Sequence, residues 1–570
     1  MHRLCLCLVV CLLPVAAAWP AAGAPPGTGG PAALVRIADA LATLRRPQPG
    51  EEGVVDHGAD AVAARRAMLR RLQAEHATLD PSTWSRPDQV DWLALRGQLD
   101  EHDFLLHVQQ PWARDPGFYA DQLLRPAFTA LPTPPDQVDT LETALRRVPA
   151  LLAAARRNLD PALVPADFAR LALFNLEHAD GVGHGHPYRA VPPAGILGWY
   201  DDLLGRARQQ QPALVPGIEA ARAAIVAFRD WLAEQAPAMT APAGFGERLF
   251  DWYLRHVKYM PYRAREIERL GQRELERVWA ARALERHRNR DLPELEPAAD
   301  RADYEARVAA VDADIRAFLS EQEIITVPAL VPGDFRQVGF NVPWIERPGG
   351  PNFWEHVQYR DPSPDHWHAV IPGHRFDALV LAANRHPVRR HLRDGGRAEG
   401  WALYLEEAGL QLGFYDRTGR ARARELIWDF AIFRAARTIG DVRLQLNEID
   451  SRQAAAYWRS LTPNLDADVA RVDAEIYLRR PPGYGLGYTV GAFQMQKLLG
   501  ERARQLGDDF VLQAFHDAFM AAGGVPIALF RYELTGFDDE VRPLWRRPEL
   551  AGLLAEGEAA SDPSRPQAAD

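Results

Sequence analysis

Cysteine is confined to the first stretch of the chain. The three cysteines, Cys5, Cys7 and Cys11, all fall in an N-terminal apolar segment, so beyond residue 11 there is no thiol. That excludes disulfides, a cysteine nucleophile and thiolate metal ligands from the rest of the chain; any metal there must be held by His, Asp or Glu. Lysine is nearly absent as well: of 66 basic residues only Lys258 and Lys497 are lysine. We read the arginine excess as compositional. With a net charge of −10 and basic runs such as 282–290 broken by Glu285, nothing favours nucleic acid as a partner. No fixed-period repeat is evident. What is there, 47% hydrophobic and 25% charged residues over 570 positions, describes an ordinary globular protein.

Residues 1–24 read as a signal peptide, with His2 and Arg3 before the apolar run Leu4 to Val15 and small residues at Ala16–Ala18 and Ala21–Ala24. The run is too short to span a bilayer comfortably, so no stable membrane span is expected after cleavage, and the protein is expected to be periplasmic or secreted. Residues 25–32, rich in Pro and Gly, read as a flexible lead-in. One helical unit follows over 33–550, with an N-terminal part at 33–240 and a motif-bearing part at 241–545. Residues 551–570 read as a disordered tail. Amphipathic spacing such as Ile267, Leu270, Leu275 and Val278 supports a mostly α chain. The β-branched run Ile324–Val327, then Phe340–Ile345 and Phe353–Tyr359 around Arg347-Pro348-Gly349-Gly350, read as a strand and a small hairpin. A strand edge there would hold an extended peptide.

The chemistry gathers just after that element. His368-Ala369-Val370-Ile371-Pro372-Gly373-His374 is followed by Glu399-Gly400-Trp401-Ala402-Leu403-Tyr404. Two nearby histidines and a glutamate from a later helix is how a single-zinc hydrolase collects three ligands. A spacing of six puts His368 and His374 on opposite flanks of a regular helix, and Pro372-Gly373 between them supplies a kink. The bland alternatives are two unrelated histidines at a helix start and Glu399 as a helix N-terminal charge. Asp365 and His366 are weaker ligand candidates, and Asp377 a partner supporting His374. Glu406 shares the face of Glu399. Downstream, Glu475 and the glycine-spaced Tyr484 and Tyr488 are candidates for catalysis and oxyanion binding, with aromatic packing at a helix entry the alternative for the tyrosines. Arg437 and Asp441 read as a surface pair one turn apart. Ala369 stands where such hydrolases carry the glutamate that activates water.

On these segments the chain resembles a bacterial family, the domain of unknown function 885 group. Its pattern is similar to His-Glu-x-x-Pro-Gly-His-His followed by Glu-Gly-Trp-Ala-Leu-Tyr, an Arg-x-x-x-Asp helix ending in histidine, and a Glu before Gly-x-x-Tyr. The likeness is clearest over 240–545. It implies a multi-helical, zinc-metallopeptidase-like fold of the gluzincin type, with His368, His374 and Glu399 as metal ligands and Tyr488 as transition-state donor. Three positions depart: Ala369 for the glutamate, Arg375 for the second histidine and Gln445 for the histidine ending the arginine helix.

The resulting expectation is an exported zinc-dependent hydrolase of peptides or peptide-like amides, with Arg375, Arg437, Tyr484 and Asp377 supporting the metal or the substrate. Glu406, Glu407 or Asp377 would replace the missing base. The alternative is an inactive periplasmic peptide-binding protein that kept the cleft. A purely structural scaffold is least favoured, because neither motif segment has an evident packing role. Oligomeric state is left open.

Overall fold

The computed structural model describes residues 30–50, 52–178, 189–339, 342–546 and 549–561; the expected signal peptide lies outside them. The fold is all helix, and among the described residues there is no strand, only an isolated bridge between Pro165 and Ala241. A continuous apolar core runs from Leu34 to Leu544, so the N-terminal helices and the motif-bearing helices are buried against one another.

We label only the helices that build the site: α1 (Ala264–Arg288), α2 (Arg301–Glu321), α3 (Phe353–Gln358), α4 (Ser363–Ala369), α5 (His374–Ala383), α6 (Gly395–Gln411), α7 (Arg424–Gln445), α8 (Ala467–Arg479) and α9 (Gly487–Leu506). Helix α7 is the axis. It is buried from Leu426 to Gln445 except at Arg443. Of its four buried charges, Asp429 pairs with Arg282, and Arg434, Arg437 and Asp441 follow i, i+3, i+7 spacing and share one face. Helix α1 packs along α7, and α6 along α9.

The second arm of the expected hairpin is a helix, and of the first arm residues 340–341 lie outside the described residues while 342–345 form no strand. Asn352 caps α3 through the Glu355 amide, and the Glu355 carboxylate accepts from the Asn352 N–H in return. This reciprocal capping box outweighs the aromatic β-propensity of Phe353 and Trp354. The run Ile324–Val327 is extended but pairs with no strand. Thr326 bonds Asp517 through its N–H and its hydroxyl (2.9 and 2.6 Å), and Ile324 offers its carbonyl to His516 Nδ1 at 2.8 Å. The expected tail begins as a helix, Leu550–Ser561, whose Leu550 is buried with Trp252 and Tyr253.

Candidate metal centre

The two histidines sit on separate helices. Helix α4 ends at Ala369, the chain reverses through Val370–Gly373, and α5 begins at His374 with Gly373 as its N-cap. The expected kink is therefore a full break. Glycine is required at 373: a Cβ there would strike the His368 carbonyl and lie 2.6 Å from the Trp367 oxygen. The reversal folds His374 back onto His368, and Trp401 locks it by donating from Nε1 to the Pro372 carbonyl at 3.0 Å.

Three ligand-type atoms converge as a result. His374 Nε2 lies 3.1 Å from His368 Nε2 and 3.1 Å from Glu399 Oε2, and His368 Nε2 lies 3.7 Å from that oxygen. A tetrahedral zinc with bonds of about 2.0–2.1 Å holds its ligand atoms about 3.3–3.4 Å apart. The observed separations bracket that value. The donor set, two imidazoles and a carboxylate, is also the one expected of zinc without cysteine.

Two of the converging groups, His368 and Glu399, are held from behind. His368 Nδ1 lies 2.7 Å from Glu406 Oε1, and Arg434 binds the same carboxylate at 2.9 and 3.1 Å. That contact at Nδ1 leaves Nε2 as the nitrogen facing His374 and Glu399. The second oxygen of Glu399 accepts from the Tyr484 hydroxyl at 2.7 Å. Tyr488 stacks on the His368 ring, with centroids 6.3 Å apart and planes 14° from parallel.

Protonation follows from burial and neighbours. Burial, then the charges of Arg434 and His374, hold His368 well below the usual imidazole range. Burial works against a charged His374 too, but Glu399, by charge and hydrogen bond, and Asp377 together raise it. Burial also opposes the Glu399 carboxylate. His374 and the Tyr484 hydroxyl outweigh it and hold Glu399 below its ordinary value. Glu406, fully buried, is pushed up to about 8 by desolvation, with Arg434 pulling the other way. A low-pKa imidazole beside a carboxylate is what a cation site requires, since both must shed protons to bind.

A cavity of about 220 Å³ opens on the three converging groups and is lined also by Ala369, Asp365, Tyr484 and Tyr488. Ala369 thus lies on the wall of the cavity beside the two histidines.

Several site expectations land elsewhere. Glu406 is wholly buried and engaged with His368 Nδ1 and Arg434, so it orients the histidine and is absent from the cavity wall. Glu407 pairs with Arg277 at 2.5 Å, away from the cavity. Glu475 accepts from Asn175 and Arg479 at 2.6 Å each and lines a separate, larger cavity. Arg375 turns away, donating to the Val338 carbonyl at 3.2 Å. Asp377 forms a buried ion pair with Arg397 at 2.6 Å, so it touches His374 by charge alone. Arg437 and Asp441 are no surface pair. Arg437 holds Asp473 at 2.5 Å on the cavity wall, and Asp441 accepts the Gly485 and Leu486 amides at 2.8 and 3.2 Å. Gln445, in place of a histidine, donates to the Tyr477 carbonyl at 3.1 Å.

The segment Glu399–Tyr404 does have a packing role. Gly400 abuts Gly491 where α6 crosses α9, Trp401 holds the histidine turn, and Tyr404 bonds His516 at 2.8 Å. Arg434 and His516 were missed in the sequence. Arg434 was legible in retrospect, one turn before Arg437 on the face ending at Asp441.

This arrangement coincides with a family pattern. A family described as "Bacterial protein of unknown function (DUF885)" matches residues 43–327 and 366–534. The chain belongs to the DUF885 family. No curated protein matches it. Two solved structures share the fold. One, from Shewanella oneidensis, is described as a "putative lipoprotein of unknown function"; it is 18% identical, with a TM-score of 0.62, covering 87% of this chain and 96% of that one. The other, a "putative lipoprotein" from Colwellia psychrerythraea, is 14% identical, with a TM-score of 0.66, covering 89% and 98%. At such identity the likeness extends to the fold alone.

Proposed function

We propose that this DUF885 protein is an exported zinc-dependent hydrolase of peptides or peptide-like amides. The carrying observation is the convergence of His368 Nε2, His374 Nε2 and Glu399 Oε2 at zinc-like separations on the wall of a cavity. A zinc ion held there supplies Lewis acidity toward an amide carbonyl. The residues around it do the rest. Glu406 and Arg434 fix the His368 ring, and Tyr484 fixes the Glu399 carboxylate. Tyr488, lining the cavity beside His368 and raised in pKa by burial, keeps its proton and can donate it to a developing oxyanion. Asp365, one turn before His368 on α4 and also on the cavity wall, is the carboxylate we assign to accept the proton of the attacking water. Export accords with the apolar N-terminal segment and with the descriptions of the two structural neighbours. No described helix is long and apolar enough to cross a membrane.

A second reading, a peptide-binding protein without catalysis, is favoured by one observation: Ala369 faces the cavity where a proton acceptor is needed. Metal analysis of protein purified under zinc-replete conditions tests the site. About one zinc per chain is expected, as in a site with three protein ligands, lost in His374→Ala; a metal-free wild type would overturn the proposal. Hydrolysis of short peptides with and without chelator then divides the readings. Ala369→Glu should raise a weak rate on the order of 10²-fold or more if the base is the missing element.

A further inference from the structure

The metal-side cavity is too small to enclose a peptide. At about 220 Å³ it falls below the roughly 300–1,000 Å³ of sites that surround a drug-sized ligand. A second cavity of about 670 Å³ lies against it. Val472 and Ile476 of α8 line both. They are four residues apart, hence on one helix face, and the next residue on that stripe is Arg480 at the C-terminal cap of α8, which lines the larger cavity.

Arg480 differs from its neighbours. Every other arginine lining either cavity holds a carboxylate, Arg437 on Asp473 and Arg479 on Asp115 among them. Arg480 holds none among the described residues. Its guanidinium carbon sits 4.9 Å from the ring centre of Tyr484, and the hydroxyl of that ring binds Glu399. A half-buried guanidinium over an aromatic face that holds no carboxylate keeps its planar N–H fork available, and such a fork can receive a carboxylate bidentately. One tyrosine ring therefore separates this cation from a proposed metal ligand.

Resting on the hydrolase reading, we propose that the two cavities form one peptide cleft across α8, and that Arg480 binds a carboxylate of the substrate. The reacting amide lies in the smaller cavity and the carboxylate-bearing end in the larger. The chemistry fits a free peptide C-terminus or an acidic side chain.

Calorimetric binding of trialanine, trialanine amide and the amide of alanyl-aspartyl-alanine to zinc-supplied protein tests this. Trialanine is expected to bind the wild type more tightly than its amide. Arg480→Gln should weaken trialanine by on the order of 10- to 100-fold, the loss of a charge-assisted pair, and leave the amide unchanged; Arg480→Lys should restore part of the affinity. Tight binding of the aspartyl amide, lost in Arg480→Gln, would assign the site to acidic side chains. Zinc content read on the same samples keeps the two proposals apart, because Arg480→Gln should retain the metal. Equal binding of trialanine, its amide and the aspartyl amide, an equal loss of all three in Arg480→Gln, or no peptide binding by zinc-loaded protein would overturn the role of Arg480.

Discussion

Replacing Gly400 by alanine would test whether the site depends on how closely two helices approach. Gly400 on α6 faces Gly491 on α9. A Cβ at 400 would lie 2.5 Å from the Gly491 Cα and 2.8 Å from its carbonyl oxygen, whereas carbon atoms rest about 3.5–4.0 Å apart. The obstruction is backbone, so no side-chain rotation relieves it. The helices must separate by roughly 1 Å, and overpacking of this kind costs about 1–3 kcal/mol. Glu399 immediately precedes Gly400, and Tyr488 lies one turn before Gly491. A displacement of ~1 Å exceeds the ~0.5 Å tolerance of a working constellation. Urea unfolding in chelator should therefore show the stability loss, and competition with a chromogenic chelator should show zinc affinity reduced at least about tenfold, the scale at which disturbed ligand support is felt. Gly205→Ala is the control. Gly205 is an exposed residue of the helix Gly195–Gln210, nothing lies within 4 Å of its would-be Cβ, and the substitution should stabilise by ~0.5–1 kcal/mol. Wild-type stability and zinc affinity in Gly400→Ala would refute the reasoning.

Other perturbations separate support from ligation. Glu406→Gln replaces the carboxyl group behind His368 and should weaken zinc by about 10- to 100-fold in chelator competition while the far-ultraviolet spectrum stays native. Asp377→Ala strands Arg397, which is 1% exposed, and should cost about 3–5 kcal/mol in urea unfolding. Asp441 is raised by burial from 3.8 to about 7, with the Leu486 and Gly485 amides working against the shift. The native state thus keeps a proton that the unfolded chain releases, so this group's contribution is full below about pH 4, declines as pH rises toward 7 and levels above it. Asp441→Asn can still accept those amides. It should flatten that decline in unfolding measured from pH 4 to 8, and an unchanged slope would count against the assignment.

The three residues that converge, the helical class and the family likeness were legible because they depend on residue identity and local spacing. Histidine, histidine and glutamate in a chain whose cysteines end at residue 11 leave few ways to hold zinc. The N-cap signal at Asn352 and Glu355 was equally local, yet the aromatic residues beside it concealed it. Roles were another matter. Glu406 and Glu399 share a helix face, but whether a carboxylate meets the Nδ1 or the Nε2 side of His368 depends on how α4 packs on α6. Glu475 and Asp473 are two residues apart on α8, and its packing sends one to the larger cavity and the other to the metal side. Sequence by itself determined which groups this protein has that could bind a cation and that it builds them into helices. Only tertiary structure decided which atoms converge, because convergence rests on backbone contacts such as Gly373 on His368 and Gly400 on Gly491. Those contacts join residues whose spacing in the chain carries no trace of their meeting.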